Sequence, residues 1–200
     1  MRIKKKTTQD LIQERPSPEA LLQLPRTPII VIADNIRSLD NVGLLFRLCE
    51  LARVELLVLA GYTGYPQTPD DSRPKDMVKR HTSRITKTAV YSLPYQPWIH
   101  EVDPVSFIKN KKKIGYSVIA LEQTTTSIPH FEAEYTLPTI LIVGHERFGV
   151  QKELLALADT MIEIPILGIG NSHNVATATG IILSSILEKT GQFSKNNGIS

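Results

Sequence analysis

Six short apolar runs set the frame of the chain: residues 28–34 (PIIVIAD), 55–60 (ELLVLA), 88–95 (TAVYSLPY), 114–121 (IGYSVIAL), 139–146 (TILIVGHE) and 161–167 (MIEIPIL). They are rich in Ile, Val and Leu and do not alternate strictly with polar residues. A strand with one wet face alternates; a strand covered on both faces reads as a continuous apolar run. Segments long enough for helices lie between most of them, at 41–53, 98–110, 150–157 and 174–189. Strands alternating with helices predict an α/β fold, a mostly parallel sheet flanked by helices with right-handed crossovers. Residues 1–26 stand apart as a basic tail with a helix around 18–24, and residues 27–200 read as one domain. The stretch 61–74 (GYTGYPQTPDDSRP) is turn-forming and long for a connection, as functional loops tend to be.

Composition narrows the class. With 200 residues, 42% hydrophobic and 22% charged, the chain is ordinary for one globular core. A formal net charge of +3 is mildly basic, compatible with a nucleic-acid partner without requiring one. The single cysteine, Cys49, excludes an internal disulfide and a Cys-rich zinc site. No stretch approaches the roughly 20 apolar residues of a membrane span, and the polar N-terminus carries no apolar run of signal-peptide length. A cytoplasmic protein with no bound metal is expected.

Ligands of parallel α/β sheets bind beyond the carboxyl ends of the strands, so the loops there are the places to search. Three are unusual. After 28–34 come Asn41, Gly43 and Arg47, with Asp40 or Asn41 placed to cap a helix and Arg47 nearly two turns on. After 139–143 come Gly144, Glu146, Arg147 and Gly149. After 161–165 come Gly168, Gly170, Ser172, His173 and Asn174. The glycines of the third loop lack the third member of a dinucleotide fingerprint, and no P-loop lysine is present. Ser172 is not in a Gly-x-Ser-x-Gly elbow, and His145 and His173 have no metal-binding spacing. Taken singly, each loop also reads as an ordinary strand-to-helix turn.

In this order, however, the three resemble the motifs of the SpoU/TrmH family of ribose 2′-O-methyltransferases in the SPOUT class. Asn41-Val-Gly43-Leu-Leu-Phe-Arg47 is similar to its Asn-x-Gly-x-x-x-Arg motif. Gly144-His-Glu146-Arg-Phe-Gly149 is similar to its Gly-x-Glu-x-x-Gly motif, and Ile164-Pro165 with Ser172-His-Asn174-Val175 to its third. The resemblance runs from about residue 29 to residue 189. It implies an α/β sheet with a C-terminal trefoil knot, a bent S-adenosylmethionine held there, RNA as substrate, and a homodimer. Leu121, Gly144, Ile164 and His173 match positions that hold the cofactor, mostly through main-chain atoms. Asn41, Arg47, Glu146, Ser172 and Asn174 match polar positions of the active site. His173 stands where the family commonly has Leu or Met, and Arg147 where many members have Gly.

On this reading Arg47 binds the phosphate beside the target ribose and stabilises developing alkoxide charge, since an arginine pKa above about 12 makes free guanidine scarce. Asn41 and Asn174 can each donate and accept, which suits orienting a ribose or a loop. Glu146 anchors Asn41 or Arg47, and Asn171 or Ser172 are candidate caps of the last helix. Basic clusters at Lys75, Lys79, Arg80, Arg84 and Lys87, at Lys4–Lys6 and at Lys111–Lys113 are candidate phosphate contacts. The lack of a large extra N-terminal RNA-binding domain favours tRNA over rRNA. An inactive RNA-binding or assembly protein with the same fold is the competing expectation.

Overall fold

The computed structural model describes residues 3, 5–14 and 16–195. Seven strands form one sheet: β1 (Thr27–Asp34), β2 (Val54–Ala60), β3 (Trp98–Glu101), β4 (Ser117–Leu121), β5 (Ile128–Pro129), β6 (Thr139–Val143) and β7 (Thr160–Glu163). Their order is β3-β2-β1-β6-β4-β7-β5, and every pairing is parallel. The helices are α1 (Thr8–Gln13), α2 (Pro18–Gln23), α3 (Leu39–Leu51), α4 (Lys75–Ala89), α5 (Pro104–Lys113), α6 (Lys152–Leu155), α7 (Val175–Lys189) and α8 (Gln192–Lys195). The late strand β7 enters between β4 and β5, both earlier in the chain.

The apolar runs are continuous because both faces of the sheet are covered. On β1, Ile29, Val31 and Ala33 join one core with Leu45, Phe46, Ile85 and Ile182 from α3, α4 and α7. Ile30 and Ile32, on the opposite face, join a second core with Ile108 of α5 and Leu154 of α6. Both faces of β6 are likewise fully buried.

Two sequence expectations fail in the same region. Residues 88–95 are not a strand: they are the end of α4 and a turn, with Val90 at φ 60°. The strand is instead Trp98–Glu101, which the sequence reading placed inside a helix; that helix begins only at Pro104. Helix α4 escaped notice because only Val78, Ile85 and Ala89 of its 15 residues are buried, one narrow stripe on a charged helix. The 61–74 loop that precedes it is well fixed. Arg73 pairs with Asp71 at 2.6 Å, donates to the Tyr65 and Pro66 carbonyls, and lies 3.4 Å above the Tyr65 ring.

Helix α3 is capped by Ser38, whose hydroxyl accepts from the Asn41 amide, so neither Asp40 nor Asn41 is the cap. Gly43 lies against the α4 backbone at Ile85 and Ala89, where any side chain would collide. Helix α7 is capped by Asn174, whose Oδ1 accepts from the amides of Ala176 and Thr177, so neither Asn171 nor Ser172 has that role.

Candidate active site

The loops after β1, β6 and β7 meet at the carboxyl edge of the sheet and are joined by one chain of hydrogen bonds. Glu146 Oε1 accepts from Ser38 N at 3.0 Å and from Asn41 Nδ2 at 2.9 Å, and its Oε2 accepts from Arg37 N at 3.1 Å. Asn41 Oδ1 in turn accepts from Asn174 Nδ2 at 2.9 Å. The capping bonds of Asn174 fix its own amide orientation, and that orientation propagates through Asn41 to Glu146. Burial works to raise the Glu146 carboxyl pKa. The bonds from its own amide, the Asn41 side chain and the Arg37 and Ser38 amides outweigh burial and hold it below the usual value. Of the two anchors expected for Glu146, the carboxylate takes Asn41.

The second loop is a tight hairpin. His145 and Gly149 exchange both backbone bonds, and His145 Nδ1 accepts from the amides of Arg147 and Phe148 at 2.8 and 3.2 Å. Gly149 sits at φ 69° directly against the Glu122 carboxylate, which accepts from the Val150 amide at 2.8 Å. Gly144 lies on the Gly149–Val150 backbone with no room for a Cβ. A further buried carboxylate, Asp34, accepts from the Gln151 amide and side chain at 2.8 and 2.6 Å and ties the end of β1 to the start of α6. Burial raises its pKa, partly offset by the bonds from Gln151.

The segments after β4, β6 and β7 enclose a cleft of about 390 Å³, within the range of small-molecule sites. Leu121, Gly144, Ile164 and His173 all line it, as do Glu146 and Ser172. Asn41, which is buried, and Asn174, which is exposed, do not line it; their hydrogen bonds join the loops around it. Arg47 is elsewhere: it is exposed and borders a shallow groove with Leu44, Leu48, Leu51, Ala176 and Gly180, between α3 and α7. Six helical residues turn about 600°, which leaves Arg47 about 120° around α3 from Asn41 and rules out a shared face. Sequence reasoning missed Glu122, Gln123 and Glu163, which also line the cleft; the available signal was a glutamate at or just past the end of β4 and of β7.

The sequence model of the SpoU rRNA Methylase family matches residues 28–184. The chain belongs to that family. Its relatives include the tRNA (guanosine(18)-2′-O)-methyltransferase of Aquifex aeolicus, 30% identical over 164 residues, or 82% of this chain and 70% of the relative. The enzyme of the same name from Thermus thermophilus is 30% identical over 165 residues, covering 82% and 77%. Among solved structures, the A. aeolicus TrmH/SpoU tRNA modifying enzyme superposes with a TM-score of 0.66 at 27% identity, covering 87% of this chain and 81% of that one. The SpoU methyltransferase AviRb from Streptomyces viridochromogenes, in complex with AdoMet, shares the fold at 19% identity with a TM-score of 0.68, covering 88% and 63%.

Among the described residues, no helix is long and apolar enough to cross a membrane. The basic clusters divide. Those of α4 follow the loop at the carboxyl edge of the sheet, although Arg84 is held by Asp40 at 2.6 Å. Lys111–Lys113 end α5 at the opposite edge, where Lys112 pairs with Asp159 and Lys111 with Glu55. Lys111–Lys113 thus lie away from the mouth of the cleft. Lys4 lies outside the described residues.

Proposed function

We propose that this SpoU-family chain transfers a methyl group from S-adenosylmethionine to a ribose 2′-hydroxyl of tRNA, as a cytoplasmic homodimer. The observation that carries the reading is the convergence of three loops, through Glu146, Asn41 and Asn174, on one cleft lined by Leu121, Gly144, Ile164 and His173. The tRNA assignment follows from the relatives named tRNA (guanosine(18)-2′-O)-methyltransferase. The lining suits a cationic cofactor: Glu122, Glu146 and Glu163 face the cleft against a single arginine, Arg147. The entry of β7 between β4 and β5 supports the proposed knot, and the bonds from Arg53 to the Leu21 and Leu24 carbonyls support an N-terminal extension that ends at residue 26, before the domain of residues 27–200.

When bound, S-adenosylmethionine supplies an electrophilic methyl on a sulfonium; the ribose oxygen bonds to its carbon as the carbon–sulfur bond breaks. The protein's part is placement, which can supply much of the rate. Leu121, Gly144, Ile164 and the backbone at His173 hold the cofactor. The Ser172 hydroxyl stands at the exposed wall of the cleft, where a ribose would meet it. The Glu146–Asn41–Asn174 chain keeps the three loops at fixed spacing. Arg47, outside the cleft of its own chain, carries the phosphate and alkoxide role across the α3–α7 groove, the face we assign to the second copy. The hydroxyl proton leaves to solvent or to a phosphate oxygen. Mapping of ribose methylation in RNA from cells with and without this protein tests the reading: a tRNA 2′-O-methyl mark must disappear on deletion, and an unchanged tRNA pattern rejects it.

A further inference from the structure

The mouth of the cleft carries aromatic surface that methyl transfer itself does not use. Tyr62, just after β2, is 61% exposed, and Phe148, in the loop after β6, is 75% exposed. The His145 ring lies between them, 6.2 Å from the Tyr62 ring at 72° and 4.8 Å from the Phe148 ring at 36°. The Arg147 guanidinium is 5.6 Å from the centre of the Phe148 ring. Arg37 is exposed, and its amide is held by Glu146. Burial raises the Tyr62 phenol pKa first, and the charges of Asp34 and Glu146 add to the effect while Arg37 opposes it.

The rings are open to solvent, yet the backbone beneath them is pinned. The Tyr62 amide donates to Asn35 Oδ1 at 3.0 Å, and Gly61 sits at φ 61° with that same oxygen where a Cβ would be. Phe148 is held by the His145–Gly149 hairpin and by its amide bond to His145 Nδ1. Large apolar side chains exposed on fixed loops mark a binding surface more than a folding need. Two cationic side chains flank this one, and it is continuous with the cleft.

We propose that Tyr62, His145 and Phe148 form a stacking platform for a nucleobase of the RNA substrate that has left its helical stack, with Arg147 and Arg37 on the adjoining phosphates. The inference rests on the methyl-transfer reading and names how that site takes its substrate. A ribose hydroxyl can reach a methyl donor inside a cleft only if its nucleotide is drawn out of regular stacking. The base then loses its neighbours, and aromatic faces replace them. Stacking of this kind accepts any base, so the platform positions the nucleotide and leaves sequence choice to other contacts.

The test uses the full chain and unmodified tRNA transcripts, with four readouts: methylation kinetics, tRNA affinity, cofactor affinity by calorimetry, and sedimentation. Phe148→Ala and Tyr62→Ala should each weaken tRNA affinity and kcat/KM about fivefold to hundredfold. Cofactor affinity and sedimentation should stay at parental values. Phe148→Trp should retain activity, and tRNA should quench the introduced indole. Arg147→Ala should lower the salt slope of tRNA binding by about one.

Parental tRNA affinity in both alanine variants overturns the proposal. So does a change in sedimentation with tRNA affinity unaltered, which would make the patch a subunit contact. If the parent methylates tRNA and the alanine variants do so equally well, the platform falls alone. If the parent binds tRNA, the indole is quenched, but no methyl is transferred, the platform stands and the catalytic reading falls.

Discussion

Replacing Asn41 by aspartate changes one group in the clasp and almost nothing in its shape. Asn41 Nδ2 donates to Glu146 Oε1 at 2.9 Å. In Asn41→Asp that donor becomes a carboxylate oxygen facing a second carboxylate. Two unit charges about 4 Å apart repel by about 4 kcal/mol at an effective dielectric constant of about 20. Glu146 is partly open to water, and solvent screening reduces this to about 2 kcal/mol. The variant escapes by taking up a proton, because the repulsion pushes the pKa of one of the two carboxyls up. An acid whose folded pKa lies above its unfolded value weakens the fold above that folded pKa, and the penalty fades as pH falls through it. The variant should therefore lie about 2 kcal/mol below the parent at pH 8 and close the gap as pH falls through the raised carboxyl pKa. The parent has the opposite sign. Its Glu146 pKa is held down, so the contribution of that carboxylate is present above about 4.3, the unfolded value, and is lost as pH falls through the lower folded value. Denaturant unfolding of both proteins at pH 8, 6.5 and 5 reads this directly. A gap below about 0.5 kcal/mol at pH 8, or one that does not shrink at pH 5, refutes the reasoning.

Gly43→Ala pushes a methyl into the α4 backbone and should cost about 1–3 kcal/mol, whereas Gly170→Ala, with no neighbour in reach, should stay within about 0.5 kcal/mol; thermal melts separate them. Cys49 is fully buried and burial pushes its thiol pKa up, so a thiol reagent at pH 8 should label it only at the rate of unfolding; fast labelling of native protein would contradict that burial. Asn174→Ala removes the α7 cap and should lower stability by about 1 kcal/mol. Asn174→Ser keeps a capping oxygen but not the bond to Asn41, so it should regain stability more fully than kcat. Arg47→Lys keeps the charge and loses the planar fork, so kcat should fall at least about tenfold while cofactor affinity, measured by calorimetry, is unchanged.

What was legible in the sequence followed burial. Strands β1 and β6 are covered on both faces, and their uninterrupted apolar runs said so. Strand β3 is an edge strand of four residues with no fully buried member, so Trp98–Glu101 carried no such run. Its place was mistakenly given to residues 88–95, whose apolar members serve the last turn of α4 and the turn after it. At the site, the local features could be read but their connections could not. Asn41 lies 105 residues from Glu146 and 133 residues from Asn174. No periodicity reports a bond across that distance; only the family resemblance placed these residues together. The resemblance did not reveal that Asn174 is a helix cap, or that Arg47 faces away from the cleft of its own chain.

The most direct test of the account is to incubate the purified protein with unmodified tRNA transcripts and S-adenosylmethionine labelled in its methyl group, then digest the RNA to nucleosides. The account predicts label in one 2′-O-methylated nucleoside, retained when the bases are removed from the sugars. Label on a base, or no transfer by a protein that binds both the cofactor and tRNA, would contradict it.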